Sequence, residues 1–191
     1  MRKKKYFPII ISSPSGGGKS SICDEILKKN SDITYSISYT TRKPRKNEKN
    51  GVDYFFITKN EFLKMRKKGE FIEWAKVHNF YYGTSKKFIE NTLSQKKFII
   101  LDIDTEGAKK FVKELPETFS VFLFPPNMKK LELRLRKRKT DSEKVIQLRL
   151  KNAKKEFNEA WWYNLLIVND EIPRVVKKIL SEIKIKSEGA K

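Results

Sequence analysis

Eight residues near the start of the chain, Ser13-Pro14-Ser15-Gly16-Gly17-Gly18-Lys19-Ser20, restrict what it can become more than any other stretch. They lie between an apolar run, Phe7 to Ser12, and a helical pattern that begins at Lys19 with Ile22, Ile26 and Leu27 on one face. Strand, glycine loop and helix in that order are the context in which a Walker A pattern has physical meaning. Glycines let the backbone turn sharply and bring its N–H groups close to an anion, and the helix start adds the positive end of its dipole. Lys19 is then expected to reach the β- and γ-phosphates, with Ser20 on Mg²⁺. Ser13 stands where the usual pattern has its first glycine.

The rest of the chain has the rhythm such a loop requires. Four runs rich in β-branched and aromatic residues, Phe7 to Ser12, Phe98 to Ile103, Phe119 to Phe124 and Leu165 to Val168, read as fully buried strands. Helical patterns between them predict an α/β protein: a central parallel sheet with helices on both faces, the three-layer arrangement of a P-loop NTPase.

Two segments break the alternation. From about Ser38 to Lys97 the chain offers a short strand at Tyr54-Phe55-Phe56-Ile57, then a capping box, Thr58-x-x-Glu61, opening a helix that stops near Gly69. This predicts an inserted mixed α+β subdomain at 38–97. After Pro125-Pro126, Leu131, Leu133 and Leu135 precede an arginine-rich stretch, and Thr140-x-x-Glu143 is expected to cap a helix through Phe157. That pair of helices, 127–157, is a candidate lid over a core made of 1–37, 98–126 and 158–191, all within one domain.

The chain of 191 residues is 38% hydrophobic and 35% charged, with no apolar run near the ~20 residues a membrane span needs, so a soluble protein is expected. Tyr6 to Ile11 is shorter than a signal-peptide core and reads as the first strand. One cysteine, Cys23, excludes an internal disulfide framework, and one histidine, His78, leaves few soft ligands for zinc; both favour a reducing cytoplasm. Cys23 is expected to pack as a small hydrophobe, His78 to sit on the surface, and Trp161 and Trp162 to pack the core or the lid hinge. The net charge of +20 suits either nucleic acid or small polyphosphates as partners.

With the phosphate loop in place, Ser38-Tyr39-Thr40-Thr41-Arg42-Lys43-Pro44-Arg45 and Gly51-Val52-Asp53-Tyr54 follow it. Further on come Phe71-Ile72-Glu73-Trp74-Ala75, Tyr81-Tyr82-Gly83-Thr84, Leu101-Asp102-Ile103-Asp104 with Gly107, Arg134 to Arg138, Arg149 and Ile167-Val168-Asn169-Asp170. Taken together and in this order, these motifs resemble the guanylate kinase family over nearly the whole chain.

The resemblance implies transfer of the γ-phosphoryl group of ATP to GMP, giving ADP and GDP in purine nucleotide metabolism, with Mg²⁺ accompanying ATP. It implies an ATP site at Ser13 to Ser21 with Asn169 near the adenine. The GMP phosphate would be held by Ser38, Arg42, Arg45, Tyr54 and Tyr82, since guanidinium forks and tyrosine hydroxyls match phosphate oxygens. Glu73, Thr84 and Asp104 match the guanine-reading positions. A carboxylate accepts from guanine N1–H and the exocyclic amine, whereas adenine N1 is an acceptor, and such a site discriminates by ~10⁴ or more. Asp102 is expected to organise Mg²⁺, through water. Arg134, Arg138 and Arg149, with Lys19, are expected to neutralise charge on the transferred group. GMP, with dGMP left open, and ATP are the expected partners, the chain acting as a monomer or weak homodimer.

Three other readings share features of the sequence. A non-catalytic interaction domain of the same fold would be expected to lack loop chemistry, yet Lys19, Ser20, Asp102 and the arginines are present. A nucleic-acid binder would concentrate its basic groups, which here are dispersed. Another nucleoside monophosphate kinase would have no need of Glu73 and Asp104.

Overall fold

The computed structural model describes residues 5–77, 79–137 and 141–189. Pro8–Ser12 (β1) leads into Lys19–Lys29 (α1) and Ile33–Tyr35 (β2). Then follow Tyr39–Thr40 (β3), Phe55–Phe56 (β4), Lys59–Lys67 (α2), Phe71–Val77 (β5), Phe80–Ser85 (β6) and Lys86–Ser94 (α3). The remainder is Phe98–Leu101 (β7), Thr105–Glu114 (α4), Phe119–Phe124 (β8), Met128–Lys137 (α5), Glu143–Glu159 (α6), Leu165–Val168 (β9) and Ile172–Glu188 (α7).

The core sheet is wholly parallel, in the order β2-β7-β1-β8-β9. Its central strands are continuous hydrophobic runs because both faces are covered. Alternation assigns each residue to a layer: Ile9, Ile11, Phe98, Ile100, Val121 and Leu123 pack with α1 and α7 on one face. Ile10, Ile99, Leu101 and Phe122 pack with α3 and α4 on the other. Ile9, Ile10 and Ile11 are all fully buried, each burial contributing ~1.5–3 kcal/mol.

β9 departs from the fully buried strand expected. Among the described residues it is an edge strand, paired with β8 alone, and Leu166 and Val168 stay 46% and 42% exposed. Trp161 departs further: it is 79% exposed, whereas Trp162 stacks on Tyr163 and packs against the core. β7 stops at Leu101, so Asp102 and Asp104 lie beyond its carboxyl end.

The segment after β2 builds a second, mixed sheet, ordered β4-β3-β6-β5. Its helix α2 starts with the expected capping box, Thr58 accepting from Glu61 N and Glu61 from Thr58 N. Gly69, just past its end, has φ 67, the left-handed geometry glycine adopts freely. α3, within the 38–97 segment by sequence, buries Ile89 in the core beneath β7.

α5 and α6 form a hairpin with its own small cluster of Leu131, Leu135, Ile146 and Ala153. Leu133 points outward, 65% exposed. The N-cap of α6 is Ser142, so Glu143 is the first helical residue and not the third of a capping box; the helix runs on to Glu159, past Phe157. Thr140 lies outside the described residues. Phe157 joins this hairpin to the core, edge-on to Phe122 and tilted against Phe124.

Candidate active site

The loop after β1 has the backbone its glycines allow. Gly16 and Gly18 have φ of 88° and 95°, and Gly17 N–H donates to Pro14 O at 2.8 Å. Among the described non-glycine residues only Asn79 and Lys96 have positive φ, so Ser13 stands in place of glycine without backbone strain. Its Oγ occupies the space beside Gly17, where a Cβ would lie 2.5 Å away. Lys19 Nζ folds back to donate to Ser13 O at 3.2 Å. A cavity of about 420 Å³ opens over the loop, lined by Ser13 to Ser21 together with Tyr54, Asp102, Asp104 and Glu156.

On the other side of Lys19 lies a cavity of about 380 Å³ that also takes in Ser38, Tyr54, Glu73, Tyr82, Asp102 and Asp104. The pairing of β5 with β6 sets Glu73 opposite Thr84, whose Oγ1 donates to Glu73 Oε1 at 2.6 Å. Both are buried, and burial pushes the Glu73 carboxyl up to about 7 against the opposing effect of the Thr84 hydrogen bond. Asp104 caps α4, accepting from Gly107 N at 2.7 Å. A Cβ on Gly107 would sit 3.3 Å from both Asp104 Oδ1 and Glu73 Oε2, so glycine lets the two carboxylates approach the helix start together.

Tyr54 and Tyr82 meet edge to face, 6.0 Å between centroids. Arg42 lies over Tyr54 and grips Glu48 with both terminal nitrogens, at 2.9 and 2.8 Å. Glu48 also accepts from Arg45 N at 2.8 Å, which ties the loop together, while the Arg45 side chain is exposed. No sequence pattern singled out Glu48; the signal available was an acid six residues after an arginine in a tight loop.

Asp102 stands where the two cavities meet. Burial raises its pKa, opposed by a hydrogen bond from Tyr35 and by the Lys19 charge. Tyr35, the last residue of β2, and Glu156 on α6 were both missed by sequence reasoning. Glu156 accepts from Thr105 Oγ1 at 3.3 Å beside the phosphate loop.

Among the described residues, the candidate arginines Arg134 and Arg149 reach the loop. Arg134 Nη1 donates to Gly17 O at 3.2 Å, and Arg149 donates to Ser15 Oγ at 2.6 Å and to Asp141 at 3.2 Å. Leu131 and Leu135 lie against Gly16, so the helical hairpin packs directly on the loop. Arg136 is turned outward between Glu132 and Glu143. Arg138 and His78 lie outside the described residues. Asn169, buried, donates to Gly17 O at 2.7 Å and lines a further cavity with Gly16, Gly18, Ser21 and Arg134, beyond the loop from Glu73.

The guanylate kinase family model matches residues 5–185. The guanylate kinase of Caldanaerobacter subterraneus subsp. tengcongensis is 43% identical over 177 residues, 93% of this chain and 86% of the relative. That of Rickettsia bellii is 44% identical over 179 residues, 94% of each chain. Among solved structures, the guanylate kinase from Anaplasma phagocytophilum superposes with a TM-score of 0.81 at 32% identity, covering all of this chain and 90% of the other.

Proposed function

We infer how this protein works from the premise that the chain belongs to the guanylate kinase family: it transfers the γ-phosphoryl group of ATP to GMP, giving ADP and GDP in purine nucleotide metabolism. The observation that carries the assignment of roles is the single cavity in which Lys19 and Asp102 face Glu73 and Asp104. It gives a phosphate-binding loop and a guanine-reading carboxylate one shared space.

In this reading ATP lies on residues 13–21 with its base toward Asn169, and GMP lies against the second sheet. Ionised Glu73 accepts from guanine N1–H and the exocyclic amine, Thr84 orients it, and Asp104 completes the edge. Arg42, Arg45, Ser38, Tyr54 and Tyr82 take the GMP phosphate. Phosphoryl transfer depends mainly on alignment and charge neutralisation, so no strong base is needed. Lys19 exchanges Ser13 O for phosphate oxygens. Arg134, Arg149 and, by its position four residues after Arg134, Arg138 neutralise the transferred group. The units are the core, the 38–97 GMP subdomain and the 127–157 lid, which closes to exclude water.

Ser20 and Asp102 offer oxygen donors in the cavity over the loop, a set that fits Mg²⁺, which takes one or two protein oxygens plus substrate phosphates. Bound there, Mg²⁺ would neutralise the β- and γ-oxygens, with Asp102 acting through water. Among the described residues no helix is long and apolar enough to cross a membrane. The buried thiol of Cys23 fits a reducing cytoplasm, and we expect a monomer or weak homodimer.

The test is ADP formation with MgATP and each of GMP, AMP, CMP and UMP. GMP alone should support turnover, Lys19→Ala should abolish it, and Glu73→Ala should relax base choice. Equal turnover with AMP would overturn the guanine-reading role.

A further inference from the structure

Tyr35 ends the edge strand β2, paired with Ile100 of β7, so its side chain stands beside the chain as it leaves that strand. From there its hydroxyl donates to Asp102 Oδ1 at 2.8 Å. Burial and the neighbouring Asp102 push the Tyr35 hydroxyl above the ordinary phenol range, so it stays a neutral donor, and a hydrogen bond to a carboxylate is among the stronger kinds. Asp102 follows the last residue of β7 and does not cap α4, whose N-cap is Asp104; the Tyr35 hydroxyl holds one of its two oxygens. Both side chains line the cavity that contains Lys19 and Glu73.

The same strand end is coupled to the acceptor side. Ser36 N–H donates to Ile100 O, and Ser38 O accepts from Phe55 N, so three residues, Ser36 to Ser38, carry the chain from Tyr35 into the second sheet at Tyr39. Tyr35 therefore sits where the core sheet hands over to the GMP-binding segment, with its hydroxyl on the carboxylate at the junction of the two cavities.

We propose that Tyr35 is a positioning residue for the reaction: by holding Oδ1 it fixes the plane of the Asp102 carboxylate so that Oδ2 faces the phosphate loop and the hydrated Mg²⁺ carried by ATP. The proposal rests on the reading of Asp102 given above. The proposed effect of Tyr35 passes through Asp102 and needs no contact with either nucleotide.

The experiment is Tyr35→Phe in the full chain, which keeps the ring and removes one hydroxyl, compared with Asp102→Asn and the double variant. Turnover is measured against free Mg²⁺ at saturating ATP and GMP, and Mn²⁺ binding to the protein–ATP complex is followed by electron paramagnetic resonance. Loss of a hydrogen bond to a charged group should raise the metal requirement and weaken Mn²⁺ binding roughly tenfold, with the KM for GMP unchanged. In the Asp102→Asn background Tyr35→Phe should add nothing further. Wild-type metal dependence in Tyr35→Phe, with a clear defect in Asp102→Asn, would overturn the role of Tyr35 alone. No defect in Asp102→Asn would overturn the reading of Asp102 beneath it. A raised KM for GMP with normal Mn²⁺ binding would make Tyr35 a direct substrate contact and also overturn the proposal.

Discussion

Glu73 carries a conflict between binding and stability. Its buried carboxyl is pushed from the ordinary 4.5 up to about 7, chiefly by desolvation. On the proposed guanine-reading role, the kcat/KM for GMP, which reports groups of the free enzyme, should fall about tenfold per pH unit below that value, because protonation would remove the acceptor offered to guanine. For stability the sign is opposite. The folded state binds this proton more tightly than the unfolded chain, so unliganded protein loses stability as pH rises from 4.5 to about 7. Above that interval the ionised group costs roughly 3 kcal/mol. Glu73→Gln should raise the melting temperature by several degrees at pH 8, and not at pH 4, while weakening GMP binding. Calorimetry at the two pH values checks the first effect and GMP titration the second; equal gains at both pH values would point to packing instead of charge.

Among elements, the α5–α6 hairpin has the least independent support. Its cluster of Leu131, Leu135, Ile146 and Ala153 is separate from the two layers of the core sheet, and it meets the loop through Leu131 and Leu135 on Gly16. Leu135→Ala removes ~2–5 kcal/mol of packing from that cluster. Proteolysis should then cut within α5 or α6 faster while β1, β7 and β8 stay protected, because a weakly buried unit opens locally. If Arg134 acts from this hairpin, kcat should fall with little change in GMP affinity. A uniform loss of protection across the chain would mean instead that hairpin and core unfold as one. The capping box of α2 was readable because it is local; the cap of α6 was not, since Thr140, Asp141 and Ser142 are all residue types that cap helices and only Thr140 has the spacing of a capping box with Glu143.

At the scale of the whole molecule the net charge of +20 bears on encounter with ATP and GMP, both polyanions or anions. A positive field raises the encounter rate of such ligands and is screened over a Debye length of ~10 Å at 0.1 M salt. The kcat/KM for ATP should therefore drop between about 0.02 and 0.5 M salt, with kcat little changed. A flat profile would confine the charge to solubility. The family motifs are spread from Ser13 to Asp170, and only folding gathers them: Lys19, Glu73 and Asp104 line one cavity although the loop, the second sheet and α4 supply them separately.

The amino-acid sequence by itself determined the alternation of buried strands and helices, the phosphate loop and the capping of α2. Each of these follows from periodicity or from backbone chemistry within a few residues. It also carried the residues that match the family, because their types and order survive without coordinates. Tertiary structure alone decided that β9 lies at an edge and leaves Leu166 and Val168 exposed, and that Trp161 faces solvent. It alone brought Tyr35 to Asp102 and Glu156 to Thr105. The physical reason is range. Local patterns record what a residue needs from its neighbours in the chain, whereas strand order and long-range hydrogen bonds arise from the joint packing of segments, and no single segment encodes them.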